Sequence, residues 1–132
     1  MTEASHPPLA ISVVIPVRNE AGNIGALVDA IEAALAGEPA REIVVVDDGS
    51  TDGSVAEVRA RQAAIPHLRL VRHAASGGQS AAIHSGVRAA RGIVVCTLDG
   101  DGQNPPEELP RLFAARAAQG AGLVAGQRAK RQ

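Results

Sequence analysis

Residues 42–54 read EIVVVDDGSTDGS. Four β-branched residues in a row, Ile43 to Val46, show no alternation between a wet and a dry face, which is the pattern of a strand covered on both sides. The run breaks at Asp47-Asp48 into Gly, Ser and Thr, the residues of a tight turn. Ser54 and Glu57 then stand at capping-box spacing, so a helix is expected to open at Ser54 and run through Val58 to Gln62. Buried strand, polar loop and helix make up most of a βαβ unit.

The same order recurs on either side. ISVVIPV (11–17), LRLVR (68–72), IVVCTL (93–98) and GLVAG (122–126) are further strand candidates, with onsets spaced close to the roughly 30 residues of a βαβ unit. Ile24, Leu27, Val28, Ile31 and Leu35 carry helical spacing, stopped by Gly37 and Pro39. A third helix is expected after Gly77-Gly78, packing through small residues with Ile83 and Val87 and ending near Gly92. A fourth has Asn104 as candidate cap, prolines and Glu107-Glu108 in its first turn, and Leu109, Leu112 and Phe113 as its apolar stripe. The expected fold is α/β, a Rossmann-like open sheet of mostly parallel strands with helices on both faces. Residues 1–10, with Pro7 and Pro8, are expected to be a disordered lead-in, and 11–132 one domain.

Composition narrows the function. Of 132 residues only Phe113 is aromatic, so neither a sugar platform nor a single-strand nucleic-acid surface built on ring stacking is available. A formal charge of −1 gives no general reason to expect a phosphate backbone, and no nucleic-acid partner is expected. The single cysteine, Cys96, lies in an apolar run and fits a reducing compartment. No signal-peptide pattern opens the chain and no apolar stretch reaches the ~20 residues of a bilayer span, so a cytoplasmic location is expected.

Polar and acidic residues collect after the strands: RNE, DDGSTD, HAASGGQS, DGDGQNPPE and GQRAKR. In an open parallel sheet these loops share the carboxyl edge, where ligands bind. Asp99 and Asp101, separated by Gly100, can fold around a hard cation, and an all-oxygen set suits Mg²⁺ or Mn²⁺. An EF-hand reading fails, because its sixth and twelfth positions would be Asn104 and Pro110. An Asp/Gly turn between strand and helix is the plainer alternative. Likewise Asp47-Asp48 fits either a turn with cap chemistry or a carboxylate that accepts from a base or ribose. Glu20 fits a ribose ligand or a first-turn acid. Gly77-Gly78-Gln79-Ser80 fits an anion-binding helix start or a loop that needs glycine. The histidines, His6, His67, His73 and His84, have no zinc-ligand spacing with Cys96. Arg128, Lys130 and Arg131 fit a diphosphate grip or a solvated basic tail. No phosphate-loop or GxGxxG fingerprint is present. A receiver-like domain would need its acceptor Asp after the third strand, where His73-Ala74 stand instead.

VVIPVRNE, DDGSTDGS, GGQSAAIHSG and LDGDGQNPPEEL, in that order, resemble the nucleotide-sugar half of a glycosyltransferase family 2 enzyme of the GT-A fold. The likeness covers about residues 11–131 and is strongest to the dolichyl- or polyprenyl-phosphate sugar synthases. It implies a metal-dependent inverting transferase that moves a hexose from a GDP- or UDP-sugar to a lipid phosphate, peripheral to the cytoplasmic face of a membrane. Pro16, Arg18, Glu20, Val46, Asp48, Asp99, Gly100, Asp101 and Arg128 fall at positions the resemblance assigns to the nucleotide sugar. Asp99, Asp101 and Gln103 fall at metal positions, with Asp99 and Asp101 as the catalytic pair. Arg18 departs from the aromatic residue common there, although a guanidinium plane can also stack.

Family catalytic domains continue past the GQR strand into an acceptor-binding portion. The chain is therefore expected to supply the donor-binding half, with a non-catalytic nucleotide-binding or interaction module as the alternative. An open edge after the fifth strand leads to an expectation of self-association.

Overall fold

The computed structural model describes residues 9–100, 105–118 and 122–124. Strands β1 (Leu9–Val17), β2 (Arg41–Asp47), β3 (Leu68–Arg72), β4 (Gly92–Thr97) and β5 (Gly122–Val124) form one sheet in the order β3-β2-β1-β4-β5. Every neighbouring pair is parallel. Helices α1 (Ile24–Ala34), α2 (Ser54–Gln62), α3 (Gln79–Ala89) and α4 (Leu109–Ala118) alternate with the strands, α4 behind a 3-10 turn at Pro106–Glu108.

Strand alternation splits the core in two. Ile11, Val13, Ile15 and Val17 of β1 join Ile43 and Val45 of β2 under α1, α2 and Leu109 of α4. Val14, Val44 and Val46 face the other side, against Ala82 of α3. Each such side chain contributes about 1.5–3 kcal/mol by leaving water, and this is why these strands read as unbroken apolar runs. On α3 the buried residues are Ala82 and Gly86, whereas Ile83 and Val87 are only half-buried. A Cβ on Gly86 would overlap Val14 Cγ1 and Val46 Cγ2, so the helix lies against the sheet through its smallest residues. Cys96 is buried, and burial pushes its thiol up to about 11, which makes it unreactive.

The amino edge of the sheet holds a buried carboxylate. Glu42, 2% exposed, accepts from Ser12 Oγ at 2.6 Å, Arg91 N at 2.6 Å and Arg69 Nη1 at 2.9 Å. Gly92 N donates to the same Ser12 hydroxyl oxygen at 2.8 Å, and Arg69 also reaches Ala89 O at 2.8 Å. One side chain thereby ties β1, β2 and β3 to the junction of α3 and β4.

The capping-box reading of Ser54 and Glu57 is corrected. Gly53 occupies the cap of α2 and makes no side-chain cap bond. Glu57 instead accepts from Gly22 N and Gly25 N, both at 2.7 Å, and so caps α1, whose own Asn23 makes no cap bond. Backbone and side-chain partners elsewhere take up the polar atoms that the motif places in this loop.

Candidate functional site

Strand order reverses between β1 and β4, since β2 and β3 follow on one side of β1 while β4 and β5 lie on the other, and a crevice opens at the carboxyl ends of β1 and β4. A cavity of about 350 Å³ lies in it, at the lower end of the roughly 300–1,000 Å³ common for small-molecule sites. Its wall is built from four separate stretches: Pro16, Val17, Arg18 and Glu20 after β1, Asp48 after β2, Ser76, Gly78, Gln79 and Ala82 before and within α3, and Asp99 and Gly100 after β4.

The β1 loop is shaped by the DGSTDGS loop. Asn19 has φ +56, a left-handed conformation that Asn tolerates better than most residues. Its side-chain Oδ1 accepts from Thr51 N at 2.8 Å, while Asn19 N donates to Ser50 Oγ at 2.9 Å. Glu20 N donates to Ser54 Oγ at 2.8 Å and Ala21 N to Asp52 Oδ2 at 3.1 Å. These bonds consume the polar atoms of Ser50, Thr51, Asp52 and Ser54 in bracing, and leave Arg18 and Glu20 at the cavity. Pro16 lies beyond the last β1–β4 pair, Val14↔Thr97, where its missing N–H takes nothing from that ladder.

Asp48 has a different environment. It is 4% exposed, and its Oδ1 accepts from His73 Nδ1 and Gly77 N, both at 2.8 Å. Its Oδ2 accepts from Ser76 Oγ at 2.8 Å and Gly78 N at 2.9 Å. Two lone pairs on each oxygen are thus matched by four donors. Burial pushes the carboxyl up, but Gly77 N–H, His73, Ser76 and Gly78 N–H outweigh it and hold the group well below the usual carboxylate range. Gly49, at φ +79, lets the chain turn here; a Cβ on it would come within 2.8 Å of Ser76 N. Asp47, by contrast, turns toward the α1 and α2 side, with Oδ2 accepting from Ser50 N at 3.2 Å.

On the opposite wall Gln79 Nε2 donates to Asp99 Oδ1 at 3.2 Å. Glu20 Oε1 accepts from Asn23 Nδ2 at 3.1 Å. Among the described residues Arg18, exposed at the cavity, makes no ion pair.

Of the residues singled out in the sequence, Pro16, Arg18, Glu20, Asp48, Asp99 and Gly100 meet in this one cavity. Val46 does not line it: the side chain is fully buried beneath α3, one strand step behind Asp48 on the same face. Asp101, Gln103, Asn104, Arg128, Lys130 and Arg131 lie outside the described residues, as do residues 1–8. Among the described residues no three His, Cys, Asp or Glu side chains converge as a metal site. Of the expected metal ligands, Asp99 lies among the described residues. Its hard oxygen donor, facing a cavity between two loops, suits a Mg²⁺ or Mn²⁺ ion with other ligands supplied from elsewhere. His73 and Ser76 went unnoticed in the sequence as partners of Asp48. His73 follows directly on an apolar strand and stands three residues before a Ser-Gly-Gly turn, a pattern that would have placed both near the β2 loop.

The family model for glycosyl transferase family 2 matches residues 12–132. Dodecaprenyl-phosphate galacturonate synthase of Rhizobium johnstonii is 36% identical over 128 residues, covering 94% of this chain and 37% of that protein. Undecaprenyl-phosphate 4-deoxy-4-formamido-L-arabinose transferase of Pseudomonas aeruginosa is 46% identical over 132 residues, covering 96% of this chain and 38% of its own length. The chain therefore spans less than two fifths of these curated relatives. Among solved structures, the mannosyltransferase PcManGT from Pyrobaculum calidifontis, in complex with GDP-Man and Mn²⁺, superposes with a TM-score of 0.67 at 31% identity, over 79% of this chain and 30% of that one.

Proposed function

The chain belongs to glycosyl transferase family 2, and on that premise we propose that it forms the donor site of an inverting transferase that moves a hexose from a GDP- or UDP-sugar to a polyprenyl-phosphate-type lipid. The observation that carries the reading is the cavity at the switch point, where Pro16, Glu20, Asp48 and Asp99 arrive from three strand ends. Two relatives support the acceptor class, one a dodecaprenyl-phosphate galacturonate synthase and the other an undecaprenyl-phosphate 4-deoxy-4-formamido-L-arabinose transferase. The mannosyltransferase neighbour supplies the precedent for a nucleoside-diphosphate sugar with Mn²⁺.

Each residue has a task that its surroundings allow. Glu20, half-buried at the β1 loop, takes a ribose hydroxyl or base N–H. Asp48 accepts a base N–H in exchange for the Ser76 hydroxyl, which can rotate away without moving backbone, whereas the other side-chain donor, His73, is also held by Ser85. Arg18 covers the base through its guanidinium plane. Val46 supports this wall from behind rather than touching the ligand. Asp99, with Asp101 and Gln103, holds Mg²⁺ or Mn²⁺. A divalent cation there supplies Lewis-acid stabilisation of the charge left on the diphosphate when the anomeric C–O bond breaks. Arg128 adds a second positive group to the same diphosphate. The lipid phosphate is already an anion, so attack on the anomeric carbon needs little help from a general base. A polyprenyl-phosphate acceptor places the reaction at a membrane surface, on the cytoplasmic face in this reading. No helix among the described residues is long and apolar enough to cross a membrane.

Asp99→Ala tests the metal half of the reading. Calorimetric titration of the chain with UDP and GDP is expected to show binding that Mn²⁺ strengthens about ten-fold or more, and the substitution is expected to remove that gain. Mn²⁺-independent binding in the wild-type chain would contradict the assignment of Asp99.

A further inference from the structure

We propose that His73 is a positioning residue of the nucleobase site, fixing the Asp48 carboxylate and, through it, the Ser76–Gly78 wall of the cavity. The inference deepens the nucleotide reading above and rests on it for its functional half. His73 does not line the cavity; its ring sits behind Asp48, 21% exposed. An ionised carboxylate only accepts, so Nδ1 carries a proton and donates to Asp48 Oδ1 at 2.8 Å. The other ring nitrogen, Nε2, lies 2.8 Å from Ser85 Oγ on α3, and this second contact sets the plane of the ring. The backbone adds a third tie, because His73 N donates to Asp47 O at 2.8 Å. His73 thus links the end of β2, the end of β3 and the body of α3.

What the link holds is specific. Asp48 carries two backbone donors, Gly77 N and Gly78 N, and these fix the turn that faces the ligand. If a base N–H displaces the Ser76 hydroxyl, His73 is, among the described residues, the side-chain donor that stays on the carboxylate. Without it the carboxylate can swing about its Cα–Cβ bond toward the loop amides, and the acceptor oxygen leaves the cavity. A ring with no ligand contact therefore controls ligand affinity.

The test compares His73→Ala, His73→Asn and Ser85→Ala in the full 132-residue chain. Two readouts are used: Kd for UDP and GDP in Mg²⁺, and hydrogen exchange of the Gly77 and Gly78 amides without nucleotide. Asn places a donor near the position of Nδ1. Loss of one hydrogen bond to a charged group predicts about a ten-fold or larger rise in Kd for His73→Ala, recovered in large part by His73→Asn. Amides 77 and 78 are expected to exchange faster in His73→Ala and close to the wild-type rate in His73→Asn. Ser85→Ala is expected to shift both readouts in the same direction by a smaller factor. Equal Kd in wild type and His73→Ala would overturn the proposal, as would equal losses in the Ala and Asn variants. If the wild-type chain binds neither nucleotide, the donor reading falls. The amide rates still decide His73 in that case, and unchanged protection in His73→Ala overturns it.

Discussion

Glu57 shows how much a single side chain contributes to the shape of the site from outside it. Its carboxylate accepts the two N–H groups that open α1, and α1 begins four residues after the cavity residue Glu20. Glu57→Gln replaces one accepting oxygen with an amide that faces Gly22 N or Gly25 N as a second donor. The expected cost is about 2 kcal/mol of unfolding free energy, read as a shift in urea midpoint at constant slope. An unchanged midpoint would mean that solvent caps α1 equally well. The capping-box spacing of Ser54 and Glu57 was visible in the sequence, but the helix they serve was not. Spacing along the chain fixes only what can meet within one helix, and the bare α1 terminus packed beside α2 offered the carboxylate a stronger set of donors. Val46 teaches the same lesson for strands. Alternation places it on the face of Asp48, yet whether that face is open or covered depends on how far α3 extends, and Gly86 lets α3 come down onto it.

At the scale of elements the sequence was legible almost throughout. The five apolar runs begin and end within two residues of β1 to β5, and the longest, β1 and β2, are the ones buried on both faces. The order β3-β2-β1-β4-β5 was not legible, since an apolar run says nothing of which run lies beside it. Glu42 was likewise hidden, a charged residue at the head of EIVVVD. It is in fact buried beneath Arg69, and this gives the sheet a pH dependence. Burial raises the Glu42 carboxyl, but the bonds from Ser12, Arg91 N–H and Arg69 outweigh it and hold the group below its ordinary value of 4.5. Asp48 is depressed from 3.8 in the same sense. A folded-state value below the unfolded one adds stability above the unfolded value, and the gain disappears as pH falls through the folded value. Thermal midpoints are expected to be level from pH 7 to about 5 and to drop steeply below about 4.5. In Glu42→Gln the midpoint should be lower at pH 7 and the acid drop shallower. An acid drop of wild-type size in that variant would assign the effect to other carboxylates.

Over the whole molecule the sheet keeps its two ends distinct. Around Glu42 the amino edge is closed by buried bonds between strands, while the carboxyl edge collects loops that brace one another and leave a cavity between β1 and β4. The gathering of four motif loops at one edge followed from strand–helix alternation alone, so the location of the site was readable before its geometry. What sequence could not supply was the division of labour within it, where Ser50, Asp52, Ser54 and Glu57 brace a loop, Asp48 anchors a wall, and Glu20 and Asp99 line the cavity. Nuclear magnetic resonance titration of the ¹⁵N-labelled chain with UDP and with GDP in Mg²⁺ examines that division in one experiment. Saturable shifts are expected at the amides of Val17 to Glu20, Ser76 to Gln79 and Asp99 to Gly100, with those around Glu42, Arg69 and Gly92 unmoved. Absence of saturable shifts with either nucleotide, or shifts confined to the Glu42 end of the sheet, would contradict a donor site at the β1–β4 crevice.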